Sequence, residues 1–396
     1  MSSTIQERIN SIDKYLSEKG YESYDPYDGL ASPLVHWITS RNQFVARVWQ
    51  QAVRLLPINI RPLLFIPKMI HTKAVSDLAS AYCVLQNEKK AREMLDLLLS
   101  IQLPVKNGMG WGLRFPFATR FVHAGKMQAN IFQTINAMHA FLDGYETFHD
   151  PKYLEPVRQG FLFLEKDLGY VETDTTLRWK YWEGLEVEIL NVSGLLIGLT
   201  ARMAVNTGEE IYRTRSKKLF NYIKANQNAD GSWYYSVDSR GHFIDGFHTG
   251  YILEGIIRAV QCGTIEIDDS VKKGIAYYLD TFFTEDQTPR YFHNSTYPID
   301  GQNLAQALQT LHFILNVNFV AEKRVFTCFE RVDTLLWNAK GYYNYKKSRW
   351  LTYKTPMHRW VTGPIFLALA LLRRSEQREG RAYLRNDTDG RKNIRP

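Results

Sequence analysis

Six segments of the chain are apolar on almost every face, and they recur at intervals of roughly 50–60 residues. They begin near Lys73, Ala129, Val187, Phe247, Ile299 and Met357, each directly after a polar or aromatic loop. Six further segments alternate with them and carry charge on one side: 34–55, 88–103, 151–168, 209–228, 268–283 and 321–337. In the fourth of these, Ile211, Leu219, Phe220 and Ile223 recur at helical spacing with charged residues between them. A helix apolar all round belongs inside and a helix with one wet face belongs outside. The pattern therefore predicts an all-α fold, an (α/α)6 toroid of six inner and six outer helices. Gly144, Gly194, Gly198, Gly250, Gly255 and Gly363 fall on the inner set, where small residues permit close packing. Strand signals are confined to short pieces such as 232–237 and 341–345, read as hairpins in the loops. The expected organisation is an N-terminal arm over 1–33, the toroid over 34–374 and a basic, flexible tail over 375–396.

Composition narrows the class. A hydrophobic fraction of 45% and a charged fraction of 23% describe a core-forming chain and exclude disorder for its bulk. Cys83, Cys262 and Cys328 are far apart and form no Cys-x-x-Cys pair, so a disulfide framework and a zinc-thiolate site are not expected. Residues 1–19 contain no apolar signal-peptide core, and no run approaches about 20 apolar residues. A cytoplasmic location is the expectation. The formal net charge is +8, but residues 373–396 hold eight Lys/Arg against four Asp/Glu and so account for half of it. That tail is a possible weak contact with membrane phosphates. Nucleic acid is not an expected partner.

In a closed toroid all inner helices begin at the same end, so six loops converge on one funnel, where helix N-termini present free N–H groups. From these loops come the candidate catalytic residues His248, Glu188, Asp245, Tyr251, His358 and Arg359. The candidate substrate contacts are Trp111, Arg114, Gln128, Tyr181, Trp182, Glu186, Asn191, Trp233, Tyr235, Tyr291, Asp300 and Trp360. Arg120 stands in the same set of loops. Flat aromatics among bidentate hydrogen-bonding groups suit sugar rings, whose C–H faces stack while their hydroxyls are clamped. The expected partner is an acidic or amino-sugar polysaccharide or oligosaccharide, with no metal and no cofactor. Asp245 and Asp300 also stand where an aspartate caps a helix, and His248 falls in the first turn of a buried one.

The stretch ANQNADGSWYYS (225–236) resembles the Gln…Gly-x-Trp repeat of the squalene cyclase and prenyltransferase superfamily, which implies a toroid. FHTGYILEGI (247–256) looks like the stretch that carries the last zinc-ligand histidine in protein prenyltransferase β-subunits. The Asp-x-Asp-Asp acid motif of the cyclases and the Asp and Cys zinc ligands of the transferases have no counterpart. The order of motifs from Gly110 to Val260 is similar to the catalytic toroid of glucuronyl C5-epimerases. YDPYDGL, LPINIRPLL and IDGFHTGYILEG resemble a family from exopolysaccharide and capsule biosynthesis clusters, which implies surface-polysaccharide biosynthesis without naming a reaction.

Three readings stay open. A uronate C5-epimerase- or lyase-like enzyme needs a neutralised carboxylate, a base and an acid on the opposite face. A glycoside hydrolase needs two carboxyl groups about 5 Å apart, or roughly 6.5–9.5 Å apart for inversion, from a set such as Glu186, Glu188, Asp245 and Asp300. A glycan-binding or assembly factor needs only the aromatic funnel. A terpenoid cyclase or prenyl transferase is a weaker fourth.

Overall fold

The computed structural model describes residues 2–390 except Arg120, Val122 and Leu185, and the side chains of these apart from Ser2, His36 and residues 378–390. It contains helices α1 (Ser2–Lys19), α2 (His36–Thr39), α3 (Gln43–Leu55), α4 (Thr72–Val84), α5 (Glu88–Ser100), α6 (Ile131–Phe148) and α7 (Leu154–Phe163). These are followed by α8 (Leu190–Thr207), α9 (Glu210–Ala225), α10 (Gly246–Gln261), α11 (Asp269–Thr281), α12 (Gly301–Leu315), α13 (Glu322–Leu336) and α14 (Gly363–Gly390).

The even-numbered helices from α4 to α14 form the inner ring. Each packs on the next, and α14 packs back on α4 to close it. The hydropathy pattern explains the arrangement: α8 is buried without a break from Leu190 to Ala204, and α12 from Gly301 to Ile314. Inner helices touch closely where glycines face each other, and a Cβ on Gly255 of α10 would fall onto the Gly194 carbonyl of α8. Outside them, α5, α7, α9, α11 and α13 each cover the inner helix that precedes them.

The sixth outer helix differs from the expectation. Segment 34–55 does not supply it. Instead α1 packs on α14, burying the stripe Ile5, Ile9, Ile12 and Leu16. Arg8 fastens α1 by a bidentate pair with Asp333 at 2.8 Å, its guanidinium lying over Trp337. The first and last helices thus complete one repeat together. Segment 34–55 becomes α2 and α3, which lie at the mouth of the funnel.

Strands are two or three residues long and tie loops together, as read from the sequence. Gly112–Leu113 pairs with Gln128–Ala129, Tyr170–Glu172 with Leu177–Trp179, and Trp337–Asn338 with Tyr342–Tyr343, all antiparallel. Lys346–Lys347 pairs with both Thr352–Tyr353 and Ile299–Asp300. Segment 232–237 forms no hairpin; its Ser236 makes one isolated bridge to Ile189. The backbone of α14 continues helically to Gly390, and the rest of the expected basic tail lies outside the described residues.

Candidate functional site

The loops before the inner helices surround a cavity of about 1030 Å³. Of the residues singled out in the sequence, it gathers His248, Asp245, Tyr251, Arg359, Tyr181, Trp182, Asn191, Tyr235, Tyr291 and Trp360 on its walls.

Asp245 is the N-cap of α10. One carboxylate oxygen accepts the His248 backbone N–H at 2.8 Å, and the other faces His248 Nδ1 at 2.7 Å. The cap and the side-chain pair are one device: the spacing Asp-x-x-His places the imidazole over the residue that starts its own helix. Asp245 is buried while His248 remains 20% exposed toward the cavity. Nε2 of His248 has no partner among the described residues. The ring is held between Phe247 at 3.9 Å and Tyr235 at 4.5 Å, centroid to centroid, with Tyr251 at 6.4 Å.

Tyr251 lies one turn further along α10. Its hydroxyl accepts a hydrogen bond from Gln302 Nε2 at 2.8 Å, which leaves the phenolic proton free to donate. Burial, reinforced by the nearby charges of Asp77 and Glu254, raises its pKa well above the usual tyrosine value. Burial also pushes Tyr181 up to about 12. These phenols stay protonated at neutral pH and serve as donors. Asn191 adds a buried Oδ1 with no partner among the described residues, an acceptor ready for a hydroxyl or amide.

The positive groups come from several elements. Arg359 is clamped by Asp25, with Nη2 at 2.7 Å from the carboxylate, and the Tyr/Asp/Pro/Gly cluster read as an arm is therefore a strut of the site. Lys73 pairs with Asp77 at 2.9 Å and Arg240 with Asp238 at 2.9 Å. Arg47 and Arg54 of α3 make no ion pair with a described residue. Arg54 lies over the Tyr27 ring at 4.6 Å and donates to the Tyr345 hydroxyl at 3.3 Å. Among the described residues five cationic side chains thus line the cavity against one carboxylate, Asp245. Sequence reasoning missed Arg47, Arg54 and Tyr27 because they precede the first repeat; the acid-free run around α3 was the available signal.

Several candidates lie elsewhere. Glu188 does not line the cavity: it is held by Arg178 at 2.8 Å and accepts from the Tyr222 hydroxyl at 2.6 Å. Glu186 points to solvent and pairs with Lys180 at 2.7 Å. His358 is buried behind Arg359, its Nδ1 3.3 Å from the Tyr21 carbonyl, and burial pushes its pKa down to about 4. Trp111 and Trp233 are core anchors that follow outer helices two units apart, α5 and α9. Trp111 donates to the Leu98 carbonyl at 2.8 Å and Trp233 to the Ile223 carbonyl at 3.0 Å, each in the last turn of an outer helix. Asp300 caps α12 and accepts from Trp360 Nε1 at 2.8 Å, so it orients a wall residue from behind. Burial raises its pKa. Arg114 and Gln128 are outside the cavity wall, Gln128 exposed, and Arg120 lies outside the described residues. Among the described residues no cluster of His, Cys, Asp and Glu is arranged to hold a metal ion.

The sequence matches no family model and no curated relative. The structure does have similar solved structures. A cellobiose 2-epimerase from Bacillus thermoamylovorans superposes with a TM-score of 0.64 at 11% identity, over 95% of this chain and 100% of that one. A polysaccharide lyase gives 0.58 at 11% identity, over 95% and 98%. A family 76 glycoside hydrolase (mannosidase) from Bacteroides thetaiotaomicron gives 0.59 at 12% identity, over 78% and 87%. The all-α toroid is thus the fold of this chain.

Proposed function

We propose that this chain is a carbohydrate-active enzyme that abstracts the proton α to the carboxylate of a uronate-containing glycan, as an epimerase or a lyase. The observation that carries the reading is the Asp245–His248 pair, with Nε2 open to a cavity whose described wall holds no second carboxylate. Glycoside hydrolysis needs two carboxyl groups. Asp245 is already committed to His248, and Glu186 and Glu188 lie off the cavity. The similar solved structures, an epimerase and a lyase among them, support sugar chemistry in this kind of funnel. The resemblance to exopolysaccharide and capsule proteins supports a surface polysaccharide as the source of the glycan.

In this reading Asp245 accepts Nδ1–H and fixes the neutral tautomer in which Nε2 carries a lone pair. Nε2 takes the C5 proton, and the electron pair moves into the carboxylate, whose charge is neutralised by Arg54 and Arg47. In epimerisation the proton returned to the opposite face of C5 comes from Tyr251, whose ring lies 6.4 Å from that of His248. In elimination Tyr251 donates to the departing glycosidic oxygen at C4 instead. The aromatic walls stack against the ring, and Asn191 accepts from a hydroxyl.

The test is incubation with uronate oligosaccharides in deuterium oxide. Epimerisation gives one deuterium at C5 with no other mass change, and elimination gives the ultraviolet absorbance of an unsaturated uronate. New reducing ends with neither signal would instead establish hydrolysis. Saturable binding with no chemical change would establish a glycan-binding factor.

A further inference from the structure

The funnel mouth carries a surface that sugar chemistry does not explain. Around α2, α3 and the turn that follows, Trp37, Phe44, Ile58, Leu63 and Phe65 are between 63% and 76% exposed, and Trp350 at the tip of a neighbouring hairpin is 83% exposed. Large apolar groups left in water at this density mark an interaction face. The pieces are tied together. The Tyr353 hydroxyl donates to the Leu55 carbonyl at 3.2 Å, fixing the hairpin to the end of α3. Ser32 Oγ donates to the Leu64 carbonyl at 2.8 Å, fixing the turn beside α2.

The charge around this face has one sign. No acidic residue occurs from Gly29 to Ser76 or from Thr334 to Ser375, the two stretches that build it. They place Arg41, Lys68, Arg349 and Lys354 exposed among the aromatic and aliphatic side chains. The outer face of α3, with Phe44, Val48 and Leu55, is also a wall of the cavity, so the face is continuous with the funnel. No described helix is long and apolar enough to cross a membrane.

We infer that this face docks on an anionic phospholipid bilayer, with the apolar side chains entering the headgroup region and the Arg and Lys side chains meeting lipid phosphates. A second copy of the chain is a poorer occupant, because pairing the same face with itself would bring its uniform positive charge together. Taken with the proposed sugar chemistry, and resting on it, the docking orients the funnel toward a glycan carried at the membrane surface.

The experiment is flotation of the full chain with vesicles of phosphatidylcholine alone or mixed with phosphatidylglycerol. The chain is expected to float with the mixed vesicles, far less with phosphatidylcholine alone, and to be released as salt rises to about 1 M. Trp37→Ser/Leu63→Ser/Trp350→Ser, none of which lines the cavity, should abolish flotation. Arg41→Gln, Lys68→Gln and Arg349→Gln should each weaken it about fivefold. Circular dichroism checks that the variants fold, and the lipid and salt series on the unmodified chain decide the matter if one does not. Failure to float with anionic vesicles, equal binding to neutral ones, or flotation that survives the apolar triple variant would overturn the inference. So would a dimer in light scattering that the triple variant converts to monomer while neither floats. No sugar enters this assay, so its failure leaves the proposed reaction standing, and absence of deuterium exchange leaves the docking standing.

Discussion

Asparagine at position 245 separates two tasks that the Asp245 carboxylate performs at once. One oxygen accepts the His248 backbone N–H at 2.8 Å and the other faces His248 Nδ1 at 2.7 Å. Asparagine has a single acceptor oxygen, and the orphan N–H at the start of α10 claims it. The amide NH₂ then faces Nδ1, which must become the acceptor, and the ring proton moves to Nε2. The histidine that was a base toward the cavity becomes a donor. Asparagine caps a helix about as well as aspartate, so stability should change by less than about 1 kcal/mol. The cost to chemistry has two sources. The imidazolium formed on proton abstraction loses a carboxylate whose attraction over about 4 Å is worth about 4 kcal/mol at an effective dielectric of about 20. An Asp–His pair of the same connectivity with the wrong tautomer loses about 10⁴-fold in turnover, about 5 kcal/mol of barrier. Both point to a loss of three to four orders of magnitude in Asp245→Asn, on the order of 4–5 kcal/mol. Deuterium exchange into a uronate oligosaccharide measures the rate. Long-range ¹⁵N–¹H correlation of the histidines measures the tautomer without any substrate. A variant that retains the Nδ1–H tautomer, or that flips it and keeps full activity, would refute the reasoning.

Tyr251→Phe should lower turnover about 10²–10⁴-fold with KM little changed, and unfolding by denaturant should reveal a loss of about 1–3 kcal/mol from the unpaired Gln302 amide. Glu188→Gln should leave turnover within about twofold and cost about 1 kcal/mol through its contacts with Arg178 and Tyr222; a collapse of activity at unchanged stability would return Glu188 to the reaction. His358 is pushed down to about 4 from an ordinary 6.5, so between those values the unfolded chain binds more protons than the folded one. The stability from keeping it neutral is complete above about pH 6.5 and is lost as pH falls toward 4, at about 1.4 kcal/mol per pH unit. Burial pushes Asp28 and Asp77 up to about 6, and these carboxyls titrate in the same window with the opposite sign. The readout is therefore the stability gap between the unmodified chain and His358→Asn, which should shift by about 2 kcal/mol from pH 7 to pH 5; a gap independent of pH would refute it.

The ring was legible because its signal is local. An inner helix such as α8 announces itself by having no wet face, and the same pattern returning six times leaves few architectures. The sixth outer helix was not legible for the opposite reason. The stripe of Ile5, Ile9, Ile12 and Leu16 is helical on inspection, but its partner α14 lies at the far end of the chain, and helical spacing carries no information about pairing at that distance. At the site, Asp245 and His248 are three residues apart and share one helix turn, so their association follows from the sequence. Glu188 carries the same chemistry in a neighbouring loop, yet Arg178 of the same loop and Tyr222 of the next outer helix turn it away, and neither pairing is marked by a helical spacing. Trp111 and Trp233 were misread for a related reason. An aromatic residue in a loop reads as a ring platform until the indole N–H is seen to be spent on a helix carbonyl.

The formal net charge of +8 proved a poor guide because averaging over the chain hides its arrangement. Lys73, Arg240 and Arg359 each have a carboxylate beside them, and such pairs cancel in their effect on a bound anion. The two cavity cations with no ion-pair partner among the described residues, Arg47 and Arg54, come from α3, outside the repeat. The Asp245–His248 pair and its aromatic cage come from the repeat itself, on α10 and its preceding loop. The division has a physical consequence. Positions on α10 are fixed by packing against α8 and α12, which suits groups that must hold an angle to a reacting bond. Arg47 stands exposed on a helix that borders solvent, which suits a group that must meet a charge at the mouth. A toroid that kept α10 but lost Arg47 and Arg54 of α3 would keep the Asp245–His248 pair and lose the charge that the proposed reaction sets against the substrate carboxylate.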